Sequence, residues 1–267
     1  MITNLNGIPA FTRGDLGAVN IFRVEEGLPY GTIYGNKYAK NLDELSLDSN
    51  GIVLNTTGIA HPGGTDNKDA YSINSDGYVV RTADIGTENE SPVRIYDEEL
   101  GADAVTRIGN TNPDFNIGFI NSFSYKNFSL FVLLDYQHGG DIYNYTKQLM
   151  YNRDRHKDQQ DWGAQGKHRN YGAGNIYNAS NPNSHFVEDG TYMKVREISL
   201  AFRKEITTSK FFDALKVQIS GRNLFTFTKY SGWDPEVAIS TNPTNFRLDE
   251  YSYPNFRSFS ATVQLEF

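Results

Sequence analysis

The chain of 267 residues contains no cysteine, which excludes a disulfide scaffold and any Cys-based zinc module. No run approaches the roughly 18 consecutive apolar residues that a membrane-crossing helix needs. Between Met1 and Gly14 no charged stretch is followed by an apolar one, so no secretory signal is legible there. Basic residues are outnumbered: Lys plus Arg come to 25 against 32 Asp plus Glu, a net charge of −7 with a pI near 5.3. An acidic surface repels phosphates, which argues against a nucleic-acid partner. Apolar content is modest at 38%. What is abundant is aromatic and turn-forming: 17 Tyr, 17 Phe, 26 Asn and 24 Gly. Aromatics favour strands, and Asn and Gly favour turns, so the composition points to an all-β chain.

Period-two alternation is the clearest local signal. From Phe115 to Tyr125 the odd positions are Phe115, Ile117, Phe119, Asn121, Phe123 and Tyr125, while the even ones are mostly small or polar. After Lys126 and Asn127 the pattern resumes with Phe128, Leu130, Val132, Leu134 and Tyr136, so the pair reads as a hairpin with a very short turn. A third run, Tyr192 to Phe202, carries Met193 and Val195 on one parity and Ile198, Leu200 and Phe202 on the other. Such a switch moves apolar groups to the wrong face unless a residue is inserted, which predicts a β-bulge near Arg196 and Glu197. A fourth run sets Leu215, Val217, Ile219 and Gly221 against Lys216, Gln218, Ser220 and Arg222. In the last, Phe259, Ala261, Val263, Leu265 and Phe267 alternate with Ser258, Ser260, Thr262, Gln264 and Glu266. Two weaker strands are expected around Val19–Val24 and Tyr30–Ala39.

The connections alternate in length. They are short around Glu25, long from about Lys40 to Asn112, and short at Lys126 and Asn127. They are then long from about His138 to Gly190, fairly short from Lys204 to Phe212, and long from Lys229 to Pro254. In an up-and-down antiparallel sheet this places every short turn at one end and every long loop at the other, the asymmetry of transmembrane β-barrels. Compact soluble domains rarely carry structureless loops of about fifty residues. Alternation by itself suits a soluble β-sandwich equally well, because both have one apolar face. The loop asymmetry and the terminal Phe267 favour the barrel.

Several stretches resemble the SusC/RagA family of TonB-dependent outer-membrane transporters of Bacteroidetes-type bacteria. They are Ile108-Gly109-Asn110-Thr111-Asn112-Pro113-Asp114-Phe115 with its continuation to Lys126, Gly139-Gly140-Asp141-Ile142-Tyr143-Asn144, and Val187 to Leu200. The block Gly221 to Glu236, through Asn223-Leu224-Phe225-Thr226-Phe227 and Ser231-Gly232-Trp233-Asp234-Pro235-Glu236, is the most similar, and Phe267 resembles the C-terminal assembly signal of such barrels. The match is good from Ile108 to Phe267 and looser before Arg107, through Gly27 to Gly31 and Tyr34-Gly35.

The resemblance implies an all-β fold, an antiparallel up-and-down transmembrane β-barrel segment with long extracellular loops, supplying about seven of ~22 strands. It implies that residues 1–267 are the C-terminal portion of a TonB-dependent receptor barrel, with the plug, signal peptide and TonB-contacting segment lying elsewhere in a longer parent. It further implies uptake of oligosaccharides, glycans or peptides through the outer membrane, with a SusD-like surface lipoprotein as partner and TonB reached through the missing N-terminal part. Outer-membrane lipid would surround the wall. The other reading of the residues is a secreted or surface-attached carbohydrate-binding β-sandwich.

Candidate chemistry is sparse. The five histidines, His61, His138, His156, His168 and His185, have no ligand spacing, so no metal site is expected. Asp154, Asp158, Asp161, Glu188 and Asp189 could pose as a glycosidase carboxylate pair, but loop acids are ordinarily solvated, and no catalytic residue or cofactor is assigned. The family's Asp-rich loop has only an echo in Asn74-Ser75-Asp76-Gly77-Tyr78, with Ala83 where a closing Glu should stand, so no calcium site is expected either. The aromatics are the candidate contacts. Trp162, Tyr171, Tyr151 and Tyr177 lie in long loops and are candidates to touch ligand, with loop packing as the other role open to Trp162 and Tyr171. Phe225, Phe227, Tyr230 and Trp233 flank a strand end and read as an interfacial girdle. Phe259, Val263, Leu265 and Phe267 are the residues of the barrel-assembly signal.

Overall fold

The computed structural model describes residues 1–13, 21–57, 63–87, 89–159, 171, 176–207, 211–237 and 247–267. The chain divides into two compact units. One comprises Met1–Asn112, Asp141–Glu188 and Ala238–Ser252, and the other Pro113–Gly140, Asp189–Val237 and Tyr253–Phe267.

The second unit is a single meandering sheet of five strands: β1 (Pro113–Tyr125), β2 (Phe128–Gly139), β3 (Tyr192–Glu205), β4 (Ala214–Thr228) and β5 (Ser258–Glu266). Every neighbouring pair is antiparallel and the spatial order follows the chain, β1-β2-β3-β4-β5. The strands are 9 to 15 residues long, against a usual ~5–6 in globular proteins. Lys126 adopts φ 52° in the two-residue turn between β1 and β2. The connection from β3 to β4 is also short, and Asp213 N donates to the Glu266 carbonyl, so the end of β5 lies beside the start of β4.

The expected bulge is present. Leu133 pairs with Glu197 and Leu134 with Val195, so Arg196 has no partner across from β2, and the register to β4 breaks at the same place. The insertion keeps Met193 and Val195 on the same face as Ile198, Leu200 and Phe202.

The first unit consists of the N-terminal stretch and long connections, which carry structure of their own. Phe11–Arg13, Phe22–Val24, Thr32–Asn36 and Val105–Asn110 form a four-stranded antiparallel sheet. One core gathers Ile21, Phe22, Ile33, Tyr38, Tyr143 and Phe186, and a second gathers Leu45, Val53, Tyr71, Val79 and Val93. Helix α1 (Tyr145–Asn152) starts at Asn144, whose side chain accepts from Lys147 N at 2.9 Å. The two weak strands of the sequence therefore lie here, and the long sheet has five strands rather than seven. At three and five residues they are too short for a tilted span of ~9–11, and Thr32–Asn36 is buried almost throughout, as in a globular core. Among the described residues no helix is long and apolar enough to cross a membrane, which says nothing about crossing by strands.

Candidate functional site

The two faces of the long sheet differ in chemistry row by row. One row across all five strands reads Phe123, Leu130, Leu200, Ile219, Ala261, and another reads Tyr125, Phe128, Phe202, Val217, Val263. On the opposite face, the row between them reads Ser124, Ser129, Ala201, Gln218, Thr262, and the next reads Ser122, Phe131, Ser199, Ser220, Ser260, with Ser220 and Ser260 hydroxyls 2.7 Å apart. In a soluble sheet the apolar rows would be covered. Here Phe123, Ile219 and Val263 are all more than half exposed. An uncovered apolar face of this size is matched by hydrocarbon, not by water.

Its height agrees. From Phe115 to Tyr125 the outward positions span ten residue steps, about 34 Å along the strand. At a tilt of about 35–45° that projects to roughly 24–28 Å, the height of an outer-membrane apolar band of about 25 Å. Cations mark both ends: the Lys126 ammonium lies 5.4 Å from the Tyr125 ring and the Arg257 guanidinium 5.7 Å from the Phe225 ring.

The polar face holds a cavity of about 380 Å³ lined by Ser129, Phe131, Ser199, Arg203, Gln218 and Glu266 among others. Arg203 crosses it to Glu266 at 2.7 Å. Towards the other end of the strands stands an ion network. Lys194 is only 2% exposed and donates to Asp234 and Glu236, both at 2.6 Å. Arg196, brought onto the polar face by the bulge, donates to Asp135 at 3.0 Å through Nε and to both oxygens of Glu236. Tyr192 OH also donates to Glu236. Asn255, just before β5, gives its backbone N–H to Asp234 at 3.1 Å and its side-chain amide to Glu236. Burial would raise the Glu236 carboxyl, but the donors from Arg196 and Lys194 outweigh it and hold it at about 2. Both stems of the long connection between β4 and β5 are thus fastened to the polar face. Sequence reading missed this cluster. Its signal was there in two cations on the polar parity of one strand and an Asp-Pro-Glu just past the next.

The predicted ligand-contacting aromatics are placed differently from expectation. Tyr151, Tyr171 and Tyr177 are buried in the first core of the connection unit, with Tyr151 stacked on Tyr177 at 4.3 Å and Tyr171 edge-on to it at 5.7 Å. Their hydroxyls are engaged too: Tyr151 donates to Asp158 at 2.7 Å, and Tyr171 accepts from Asn74 at 3.0 Å. They are packing residues, because a ring must be accessible to stack on a ligand. Trp162 lies outside the described residues.

Of the girdle residues, Phe225 and Phe227 are outward, exposed and stacked at 6.5 Å, and Trp233 is 82% exposed. Tyr230 is buried, its ring folded over Gly232, and cannot sit at a headgroup surface. Phe259, Val263 and Leu265 share the outward parity of β5, and Phe267 is exposed beyond it.

Three of the weighed acids are engaged in local bonds. Asp158 takes the Tyr151 hydroxyl, Glu188 pairs with Lys147 at 3.1 Å, and Asp189 accepts from Thr191 N. Asp161 lies outside the described residues. Among those described, no three metal-ligating side chains converge. The Asn74 loop is closed by its own amide, whose oxygen accepts from Asp76 N and Tyr78 N while its nitrogen donates to Glu90 at 2.7 Å.

No family model matches the chain. It is similar to TonB-dependent receptor P3 of Formosa agariphila, 28% identical over 181 residues that make up 60% of this chain and 17% of that protein. It is also similar to TonB-dependent receptor P39 of the same organism, 26% identical over 92% of this chain and 26% of that protein. Among solved structures it superposes on the RagAB peptide transporter with a TM-score of 0.61 at 18% identity, covering all of this chain and 25% of that one. On the closed-closed state of the RagAB peptide importer the TM-score is 0.57 at 19% identity, covering 98% of this chain and 25% of that one. The chain therefore spans about a quarter or less of the length of the proteins it matches. The relatives carry the names of receptors and importers, not enzymes. The sequence matches bear out a resemblance to TonB-dependent receptors, and the fold, with its long antiparallel sheet, is that of the RagAB barrel.

Proposed function

We propose that this chain is the C-terminal portion of the barrel of a TonB-dependent transporter in the outer membrane of a Bacteroidetes-type bacterium. The observation that carries the reading is the outward face: apolar rows across five strands, uncovered, and of bilayer height. Such a wall performs passage and no bond-making. Its apolar rows satisfy lipid, its backbone is paired strand to strand, and its polar rows give solute and plug a wettable surface. The long connections supply the surface for a SusD-like lipoprotein, and TonB acts through the N-terminal part of the parent. The cargo in this proposal is an oligosaccharide or a peptide. The peptide importer among the structural relatives supports the second option, while the names of the matched TonB-dependent receptors specify no cargo.

Cell fractionation tests the location: the protein is expected in the outer membrane and to leave it only with detergent. Recovery in a detergent-free soluble fraction would support a carbohydrate-binding sandwich instead. Uptake of labelled peptides and of labelled oligosaccharides, in cells with and without the gene, then tests cargo.

A further inference from the structure

Arg257 immediately precedes β5 and shares the parity of Phe259, Ala261 and Val263, so it belongs to the outward face. An exposed cation on a lipid-facing wall needs an anion or water. Among the described residues no carboxylate pairs with Arg257. Its guanidinium lies over Phe225, whose partner across the sheet is the outward Val195. Phe227 stacks beside Phe225. The neighbouring chain is held in place: Asn223 donates to the Phe256 carbonyl at 3.1 Å, and Asp234 accepts from Asn255 N. Phe225 and Phe227 are both 55% exposed, so the rings beside the guanidinium stay accessible.

We propose that this corner of the wall, Arg257 with Phe225 and Phe227, is a seat for the phosphate-bearing headgroup of an outer-leaflet lipid. The inference rests on the wall reading and adds a ligand to it. A guanidinium presents a planar fork of donors that fits phosphate oxygens in two parallel bonds. The ring beneath holds that fork by cation–π attraction. Aromatic rings at the edge of the apolar band suit the boundary between headgroup and acyl chain. Charge complementarity selects the occupant. The group offered is a lone positive charge above an apolar surface, which matches an anionic amphiphile and neither a neutral sugar nor an apolar partner.

The test uses the whole protein that carries this sequence, transferred from detergent into phosphatidylcholine nanodiscs containing lipid A or dephosphorylated lipid A. Lipid retained by the protein is read by native mass spectrometry after the disc is released. Lipid A should be retained and its dephosphorylated form lost. Arg257→Ala should weaken retention about tenfold, the effect of losing charge-assisted hydrogen bonds, with Arg257→Lys intermediate. Lys68→Ala, which removes an exposed cation paired with Asp43, should leave retention unchanged. Equal retention by the parent protein and Arg257→Ala overturns the proposal, as does equal retention of the two lipids. Arg257-dependent binding of inorganic phosphate with no lipid present overturns it as well. A protein that never enters the discs sinks the wall reading itself, so the two failures are distinguishable.

Discussion

Lys194 and Asp234 meet at 2.6 Å with the lysine side chain 2% exposed, one from near the start of a long strand and the other from the connection that follows the next. The pair joins the polar face of β3 to the stem of the long connection after β4, and Glu236 and Arg196 extend it. Replacing a buried ion pair by apolar groups can be nearly neutral, but removing one partner strands the other without solvent. Lys194→Met should therefore cost about 3–5 kcal/mol, measured by urea-dependent folding into bilayers. Adding Asp234→Asn should recover part of that loss, as a double-mutant cycle would show. A cost below about 1 kcal/mol for the single change would mean that water reaches the pair and that the stem is not fastened there.

Val263 and Thr262 are adjacent on β5 and face opposite ways, Val263 opposite Val217 and Thr262 opposite Gln218. If the Val263 row faces hydrocarbon, Val263→Arg should cost about 2–4 kcal/mol near mid-bilayer and Thr262→Arg far less. Folding of each variant into the same lipid measures the difference. Equal costs at the two sites would mean that the faces are assigned wrongly.

Sequence legibility followed from periodicity. The five long strands, the tight turn at Lys126-Asn127 and the bulge at Arg196 were readable because an outward-facing wall repeats every second residue over ten or more positions. The bulge was readable because it preserves that repeat. The strands at Phe22–Val24 and Thr32–Asn36 were visible as strands, but their sheet was not, since a buried strand of three to five residues carries no parity to place it. Tyr151, Tyr171 and Tyr177 were misplaced for a related reason. Composition marks a loop tyrosine, whereas burial depends on which distant segments fold against it, here Phe186 and Tyr78. The ion network was hidden because Asp135, Lys194 and Glu236 are far apart in the chain and no local spacing joins them.

Gly35 illustrates packing between distant segments. Asn36 N donates to the Pro182 carbonyl at 2.8 Å, and a Cβ on Gly35 would fall well inside contact distance of that same carbonyl. The obstacle is backbone, which cannot swing aside as a side-chain tip can. Gly35→Ala should destabilise the connection unit by about 1–3 kcal/mol. Limited proteolysis of the long connections reads the change, with faster cleavage expected in the variant. Unchanged cleavage rates would show that the two segments do not run side by side.

His185 gives the connection unit a pH dependence of known sign. Its Nδ1 meets the Tyr78 hydroxyl at 2.9 Å, and its ring lies edge-on to Phe186 and Tyr177. Burial above all, with Lys147 and Lys40, pulls its pKa down to about 4, against the opposing pull of Asp76 and Glu188. In an unfolded chain the same group titrates near ~6.5. Between those two values the unfolded chain takes up a proton that the folded one refuses. The contribution is therefore whole above pH ~6.5, falls as the pH drops towards about 4, and reaches a loss of about 3 kcal/mol at the lower end. His185→Gln can still meet the Tyr78 hydroxyl but cannot titrate. Subtracting its stability profile from that of the parent protein should leave a slope confined to this window. Two profiles parallel from pH 4 to 7 would show that the imidazole is not held neutral in the fold.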